Sequence, residues 1–146
     1  MKTLYDLDCG VKRERKRARE RARERARKGC LVFDHERLEV YQTAIDFAAR
    51  ADETAQNLPL GRGNLADQLY RASVSIPLNI AEGAGLWANR EKQHAYRIAR
   101  GSAMECAAIL DVCIRLKMAP EDVCRDGKEM LLRIISMLTK LIQSLE

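Results

Sequence analysis

The chain has 146 residues, of which 47% are hydrophobic, 32% charged and only 5% aromatic, which is the size and balance of one globular domain. Few aromatic residues and abundant Ala, Leu, Arg and Glu argue against a β-sheet protein, and no apolar run approaches the roughly 20 residues that cross a bilayer. Five cysteines without a C-x-x-C pair argue against a disulfide framework and a zinc knuckle. We therefore expect an all-α, soluble, cytoplasmic protein with no membrane association, no metal and no other cofactor.

The first predicted element is an arginine-rich arm, residues 1–32. Residues 12–28 carry eleven Lys or Arg and three Glu, and the repeat R-A-R-E, R-A-R-E, R-A-R-K lacks an apolar stripe. Like charges four apart repel, so we expect a fluctuating helix or a disordered segment. Such cations can neutralise several phosphates, and the alternative is an inert solvated tail. The candidate nucleic-acid contacts of the arm are Arg13, Arg15, Lys16, Arg17, Arg19, Arg21, Arg23, Arg25, Arg27 and Lys28.

Residues 33–146 form the second predicted domain, which opens with two helices. The first is predicted over residues 36–58, with Asp34 as its N-cap. The second is predicted over residues 65–84, after a loop rich in Gly and Pro, with Asn64 as its cap and with a bend caused by the internal Pro77. The apolar face predicted for the first helix consists of Leu38, Tyr41, Ile45, Ala48, Ala51, Ala55 and Leu58.

Two further helices complete the predicted domain. The third runs over residues 89–118 with Asn89 at its start, and its central Gly101, which costs roughly 1 kcal/mol relative to Ala, predicts a close helix approach. Cys106 and Cys113 share a face of this helix and should pack as small hydrophobic residues.

The fourth helix follows Pro120 and has a broad apolar face. We expect five of its residues to fill the bundle, namely Leu131, Ile134, Leu138, Leu141 and Leu145. Ile135 and Ile142 are then left outside, which indicates a partner surface or an oligomer, with a buried helix edge as the alternative. Four long helices with short connections predict an up-down antiparallel four-helix bundle.

Polar side chains recur in the second and third helices at positions where a simple core would have apolar residues. We interpret them as a structural polar network, with a ligand site as the alternative. The network residues are Arg71, Ser75, Asn79, Glu82, Arg100 and Glu105. Near the start of the third helix, Arg90, Lys92 and Arg97 are candidate nucleic-acid contacts, with an ordinary solvated face as the alternative.

Catalytic patterns are weak in this chain. Arg90 and His94 share a helical face, but too few residues separate them for the arginine–histidine pair of helical ribonucleases. Glu91 and His94 form one Glu-x-x-His motif, whereas a di-metal bundle site needs two. We therefore predict a protein that is not an enzyme and has no catalytic or metal-binding residues. A metal-dependent or His94-dependent nuclease remains the enzymatic alternative.

Three motifs carry a family resemblance: L-E-V-Y-Q at residues 38–42, S-I-P-L-N-I-A-E-G at residues 75–83 and A-R-G-S-x-x-E at residues 99–105. Together they resemble the four-helix-bundle proteins encoded in intervening sequences of bacterial large-subunit ribosomal RNA genes. That family is similar to the accessory variability determinant of diversity-generating retroelements. The resemblance covers about residues 33–145.

The resemblance implies an up-down bundle that assembles as a ring-like homopentamer without known catalytic activity. In the retroelement branch it also implies binding to nucleic acid and to the reverse transcriptase. One departure concerns charge, because nucleic-acid-binding members have a basic body, whereas residues 29–146 carry fourteen Lys or Arg against sixteen Asp or Glu.

These observations predict a non-catalytic, oligomeric accessory protein that binds RNA or DNA without sequence specificity and scaffolds a partner protein such as a reverse transcriptase. The alternative is a purely structural or protein-interaction bundle with an inert arm.

Overall fold

The computed structural model describes Glu20 and residues 32–146. The chain divides into two units, Met1–Phe33 and Asp34–Glu146. All the arm residues predicted to contact nucleic acid lie outside the described residues.

The second unit is helical, and its elements follow one another with short connections. A 3₁₀ helix, Asp34–Arg37, precedes four α-helices, and residues 32–146 contain no β-strand. The α-helices are α1 (Glu39–Gln56), α2 (Gly63–Gly85), α3 (Asn89–Arg115) and α4 (Glu121–Gln143). The all-α prediction is confirmed.

Each helix packs against two neighbours, so that the four form a closed ring: α1 on α2, α2 on α3, α3 on α4 and α4 on α1. Connections of three to six residues turn each helix back along the previous one, which gives the predicted up-down four-helix bundle. The centre of the ring is filled by fully buried apolar side chains from all four helices, the largest of them Phe47, Leu69, Ile76, Ile80, Leu131, Ile134 and Leu138. Among the helices of the described residues, none combines the length and the apolar character that crossing a membrane requires.

The start and the buried face of α1 differ from the sequence prediction. Asp34 begins the 3₁₀ helix, and the N-cap of α1 is Leu38, which makes no side-chain capping bond. The face that enters the core centres on Ala44 and Phe47, whereas Ile45 is exposed. Apolar residues line two adjacent sides of this helix, and Phe47 selects the one that turns inwards because it has the most apolar surface to bury.

α2 also starts earlier than predicted. Arg62 is its N-cap residue, and Asn64 lies inside the first turn and does not cap the helix. Pro77 lies inside α2 as predicted, and the helix continues past it to Gly85.

The glycine that allows a close helix approach is Gly83 in α2, not Gly101 in α3. A Cβ built on Gly83 would lie 2.5 Å from Cε1 of Tyr96, whereas a Cβ on Gly101 would meet nothing within 4 Å. The prediction for Gly101 is wrong because this residue lies two positions after the buried Ala99, about 200° around the helix and therefore on its outer side.

α4 closes the ring against α1. Ile142 is buried, contrary to its predicted outer position, and Ile135 is half-buried. Two ion pairs cross the α1–α4 seam: Arg50 with Asp126 at 3.6 Å, and Arg133 with Glu39. All four side chains are largely solvated, so that each pair contributes less than about 1 kcal/mol to stability.

Candidate nucleic-acid interface

Part of the predicted polar network forms between α2 and α3. The hydroxyl oxygens of Ser75 and Ser102 lie 2.9 Å apart. Asn79 Nδ2 donates to the Ser75 carbonyl oxygen at 2.8 Å and to its hydroxyl oxygen at 3.1 Å. These half-buried groups therefore satisfy one another inside the bundle, and Ser102 is the member that the sequence interpretation missed.

The other predicted members do not join this cluster. Arg71, Glu82 and Glu105 are exposed, and none of their side chains forms a hydrogen bond or ion pair with another described residue. Arg100 Nε donates to Thr139 Oγ1 of α4 at 3.1 Å. Arg100 is two positions from Ser102, hence about 200° away around α3, and so it reaches α4 and not the α2 side.

The start of α3 carries three cations that form no ion pair with any described residue. Arg90 and Arg97 are exposed and Lys92 is half-buried, and none of the three forms an ion pair within the described part of the chain. Arg90 and Arg97 are seven residues apart, which places both on one face with a separation of about 10 Å along the axis. By contrast, Arg125 and Lys128 of α4 are paired with Glu121 and Asp111.

A cleft of about 590 Å³ opens beside these cations, at the end of the bundle where α2 passes into α3. Arg90, His94 and Arg97 line it together with Glu82 and Glu91. Its apolar lining includes Leu86 and Ile98. The sequence alone places its charged residues in three separate sites, because periodicity shows which residues share one helix face but not which faces of two helices meet.

The turn between α2 and α3 presents the one tryptophan of the chain. Trp87 is 96% exposed. Leu86, which precedes it, and Arg90, three residues after it, both line the cleft. A tryptophan usually buries a large part of its ring. Trp87 is absent from the predicted site residues, although a lone Trp in a predicted turn is a recognisable signal.

The histidines lie in separate places. His94 is exposed beside the cleft, whereas the His35 ring packs edge-on against Tyr41 with 4.6 Å between ring centroids. Among the residues that the structure describes, no group of three or more His, Cys, Asp or Glu side chains could hold a metal ion.

Three cysteines lie in the core. Cys106, Cys113 and Cys124 are free and fully buried, which confirms the packing role predicted for the first two. Burial raises the pKa of Cys106 to about 12, with a further contribution from the neighbouring Glu105 carboxylate. Burial also raises the pKa of Cys113 and Cys124. Because the thiolate is the reactive form, these thiols are poorly suited to nucleophilic chemistry.

The family model of the 23S rRNA-intervening sequence proteins matches residues 36–140. This chain belongs to that family. The match covers all of α1, α2 and α3 and most of α4, and so includes the cleft and the serine cluster.

One solved structure supports the fold independently. It is the crystal structure of a protein of unknown function from the S23 ribosomal protein family of Bacteroides thetaiotaomicron, with a TM-score of 0.65 and 20% sequence identity. The alignment covers 71% of this chain and 95% of that one. No curated protein matches the chain significantly in sequence.

Proposed function

We propose that this protein is a non-catalytic accessory bundle that binds RNA or DNA through phosphate contacts. The observation that carries the proposal is the set of three cations at the start of α3, Arg90, Lys92 and Arg97, which have no carboxylate partner among the described residues. Ionic contacts to phosphate dominate the affinity of nucleic-acid-binding proteins and carry no sequence information. Binding of this kind is therefore sequence-nonspecific.

The distribution of charge along the bundle supports a local site. Residues 89–100 contain four Lys or Arg and one Glu, whereas α1 contains four Asp or Glu and one Arg. The near balance of charge over residues 29–146 therefore conceals a cationic patch. The field of such a patch acts over about one Debye length, roughly 10 Å at 0.1 M salt.

The test replaces Arg90, Lys92 and Arg97 together by Gln in the full chain. Each lost phosphate contact lowers the slope of log K against log salt by about 0.7 on a single strand. Losing all three contacts makes the slope less steep by about 2, which corresponds to an affinity about 100-fold weaker at 0.1 M salt. The measurement is fluorescence anisotropy of a labelled oligonucleotide across a salt series.

The matched control removes three cations at the opposite end of the bundle: Arg62→Gln, Arg115→Gln and Lys117→Gln. These residues are exposed and form no ion pair with any described residue, and Lys117 lines a cleft of about 520 Å³, similar in size. Equal weakening by both triple variants would mean that only overall charge matters, and an unchanged slope in the Arg90 set would refute the site.

The arginine-rich arm has a separate test. Removal of residues 1–30 should reduce affinity further if the arm binds phosphate, because residues 12–28 carry a net charge of plus eight. Unchanged affinity at moderate salt would mean that the arm is inert and that binding depends on the bundle alone.

We further propose that the bundle is a homo-oligomer, for which a pentamer is the expectation, and that it scaffolds a protein partner. Exposed apolar side chains support this part, among them Leu78 at 63% and Leu132 at 68% exposure, because such residues are favoured at interfaces. Light scattering tests it: a mass of 16.6 kDa would exclude an oligomer. Pull-down with a reverse transcriptase tests one class of partner.

A nuclease is the competing function, and the grouping of Arg90, Glu91 and His94 at one cleft is the observation that favours it. Incubation of the oligonucleotide with the protein and divalent metals distinguishes the two. An intact oligonucleotide supports the accessory function, whereas cleavage that is abolished by His94→Ala would establish the nuclease.

A further inference from the structure

We infer that the ligand of the α3 cleft is a single-stranded nucleic acid, one unpaired base of which stacks on Trp87. This inference rests on the proposed function and specifies its ligand. Its starting point is the 96% exposure of the indole at the α2–α3 turn, next in sequence to Leu86, a residue of the cleft wall.

The position of Trp87 suits an unpaired base. A base in a duplex is covered above and below by its neighbours, whereas an unpaired base offers a free face to an aromatic ring. An indole that projects from a turn can therefore stack on a splayed base but has no comparable contact with the phosphate rows of a duplex. Stacking of this kind does not depend on which base is present.

The charges of the cleft also favour a single strand over a duplex. Its lining contains the cations Arg90 and Arg97, His94, and the carboxylates of Glu82 and Glu91. The two carboxylates repel the phosphates of any strand, but a single strand can bend so that its phosphates avoid them, whereas the phosphate rows of a duplex are held in place. On a single strand, the arginines can contact one or two phosphates while a carboxylate accepts a hydrogen bond from an exocyclic amine of a base.

The size of the cleft is consistent with this ligand. Its volume of about 590 Å³ lies within the roughly 300–1,000 Å³ of ordinary small-ligand sites. It can hold one nucleotide, while the strand continues over the exposed cations. The two arginines and the two carboxylates of the lining lie within residues 82–98, and Trp87 lies in the same stretch of the sequence.

The experiment uses the indole itself as the probe, because Trp87 is the single tryptophan of the full chain. A 12-nucleotide single-stranded RNA, the same sequence as single-stranded DNA, and the matching duplex are titrated into the protein. We expect the two single strands to quench the indole emission on saturation and the duplex not to quench it. A difference in affinity between the RNA and DNA single strands identifies which of the two is preferred.

Substitution provides the second readout. Trp87→Ala should weaken single-strand binding roughly 5- to 140-fold, equivalent to about 1–3 kcal/mol per stacked base, and Trp87→Phe should restore most of it. Duplex affinity should not change in either variant. Both variants should keep the wild-type melting temperature, because the replaced side chain is exposed.

Failure of this inference differs from failure of the proposed function. Binding of both strand types with unquenched emission and no effect of Trp87→Ala would overturn the inference and leave phosphate binding in place. A blue-shifted emission in the free protein would also overturn it, because it would show that the indole is already covered before the oligonucleotide is added. Absence of any oligonucleotide binding would overturn both proposals.

Discussion

The substitution Gly83→Ala tests a close contact between α2 and α3. Gly83 is buried in α2, and the Cβ of an alanine there would lie 2.5 Å from Cε1 and 2.9 Å from Cδ1 of Tyr96. Neither the ring nor the backbone can yield easily, because Tyr96 is itself only 3% exposed and is surrounded by the core. Alanine is otherwise the better helix former, by about 1 kcal/mol.

The magnitude follows from a comparison with glycines that have free space. Gly101→Ala in α3 and Gly85→Ala in α2 place a Cβ with nothing within 4 Å, so each should stabilise by up to about 1 kcal/mol. Gly83→Ala shares that gain but adds the overpacking penalty, typically about 1–3 kcal/mol. The difference between Gly83→Ala and Gly101→Ala therefore isolates the contact with the Tyr96 ring.

The assay is thermal and urea unfolding of the three variants. At about 4 °C per kcal/mol for a domain of this size, Gly83→Ala should melt about 4–12 °C below Gly101→Ala. In a Tyr96→Leu background, which removes the ring, this difference should largely disappear. Equal stabilities of Gly83→Ala and Gly101→Ala in the wild-type background would refute the argument, because the ring would then not constrain the backbone of α2.

Two further predictions concern the interior. Ser75→Ala and Ser102→Ala should each cost about 1 kcal/mol of unfolding free energy, and the double variant should cost less than their sum because the second substitution removes a partner that is already lost; additive effects would contradict the hydroxyl contact. The pKa of Cys106, about 12 in the folded state against an ordinary 9.0, means that the unfolded chain loses this proton first. Stability should therefore be complete below pH 9 and fall as the pH rises towards 12, by up to about 1.4 kcal/mol per pH unit for this thiol, and Cys106→Ala should flatten the decline measured by urea unfolding.

The sequence predicted the four helices well, because the apolar period of a helix and the Gly and Pro residues between helices are local signals. It misplaced the centre of the α1 face that enters the core: most of the predicted face packs there, but Ile45 is exposed. One apolar stripe of α1 runs through Val40, Ala44 and Phe47, and the adjacent one runs through Tyr41 and Ile45. A small rotation of the helix about its axis decides which stripe faces the core. That rotation depends on the neighbouring helices and not on α1 itself.

The candidate site was predicted only in fragments. The three cations of α3 were identified because local charge is visible in the sequence. Their grouping with Glu82 of α2 depends on how two helices cross, and the exposure of Trp87 depends on the direction of a turn. The close approach at Gly83 could not be predicted either, because it depends on the neighbouring Tyr96 ring of α3. The outer position of Gly101 could have been predicted from the buried stripe through Ala99.

The seam between α1 and α4 has a consequence for how the bundle opens. Its ion pair between Arg133 and Glu39 joins residues 94 positions apart in the chain, whereas the other three seams join consecutive helices. Closing the α1–α4 seam therefore costs more chain entropy than closing any of the other three. The seam also rests partly on solvated charges that salt screens. Amide hydrogens of α1 should therefore exchange with solvent through partial openings of the bundle, at a rate that increases with ionic strength. Those of α2 and α3 should exchange only when the whole domain unfolds.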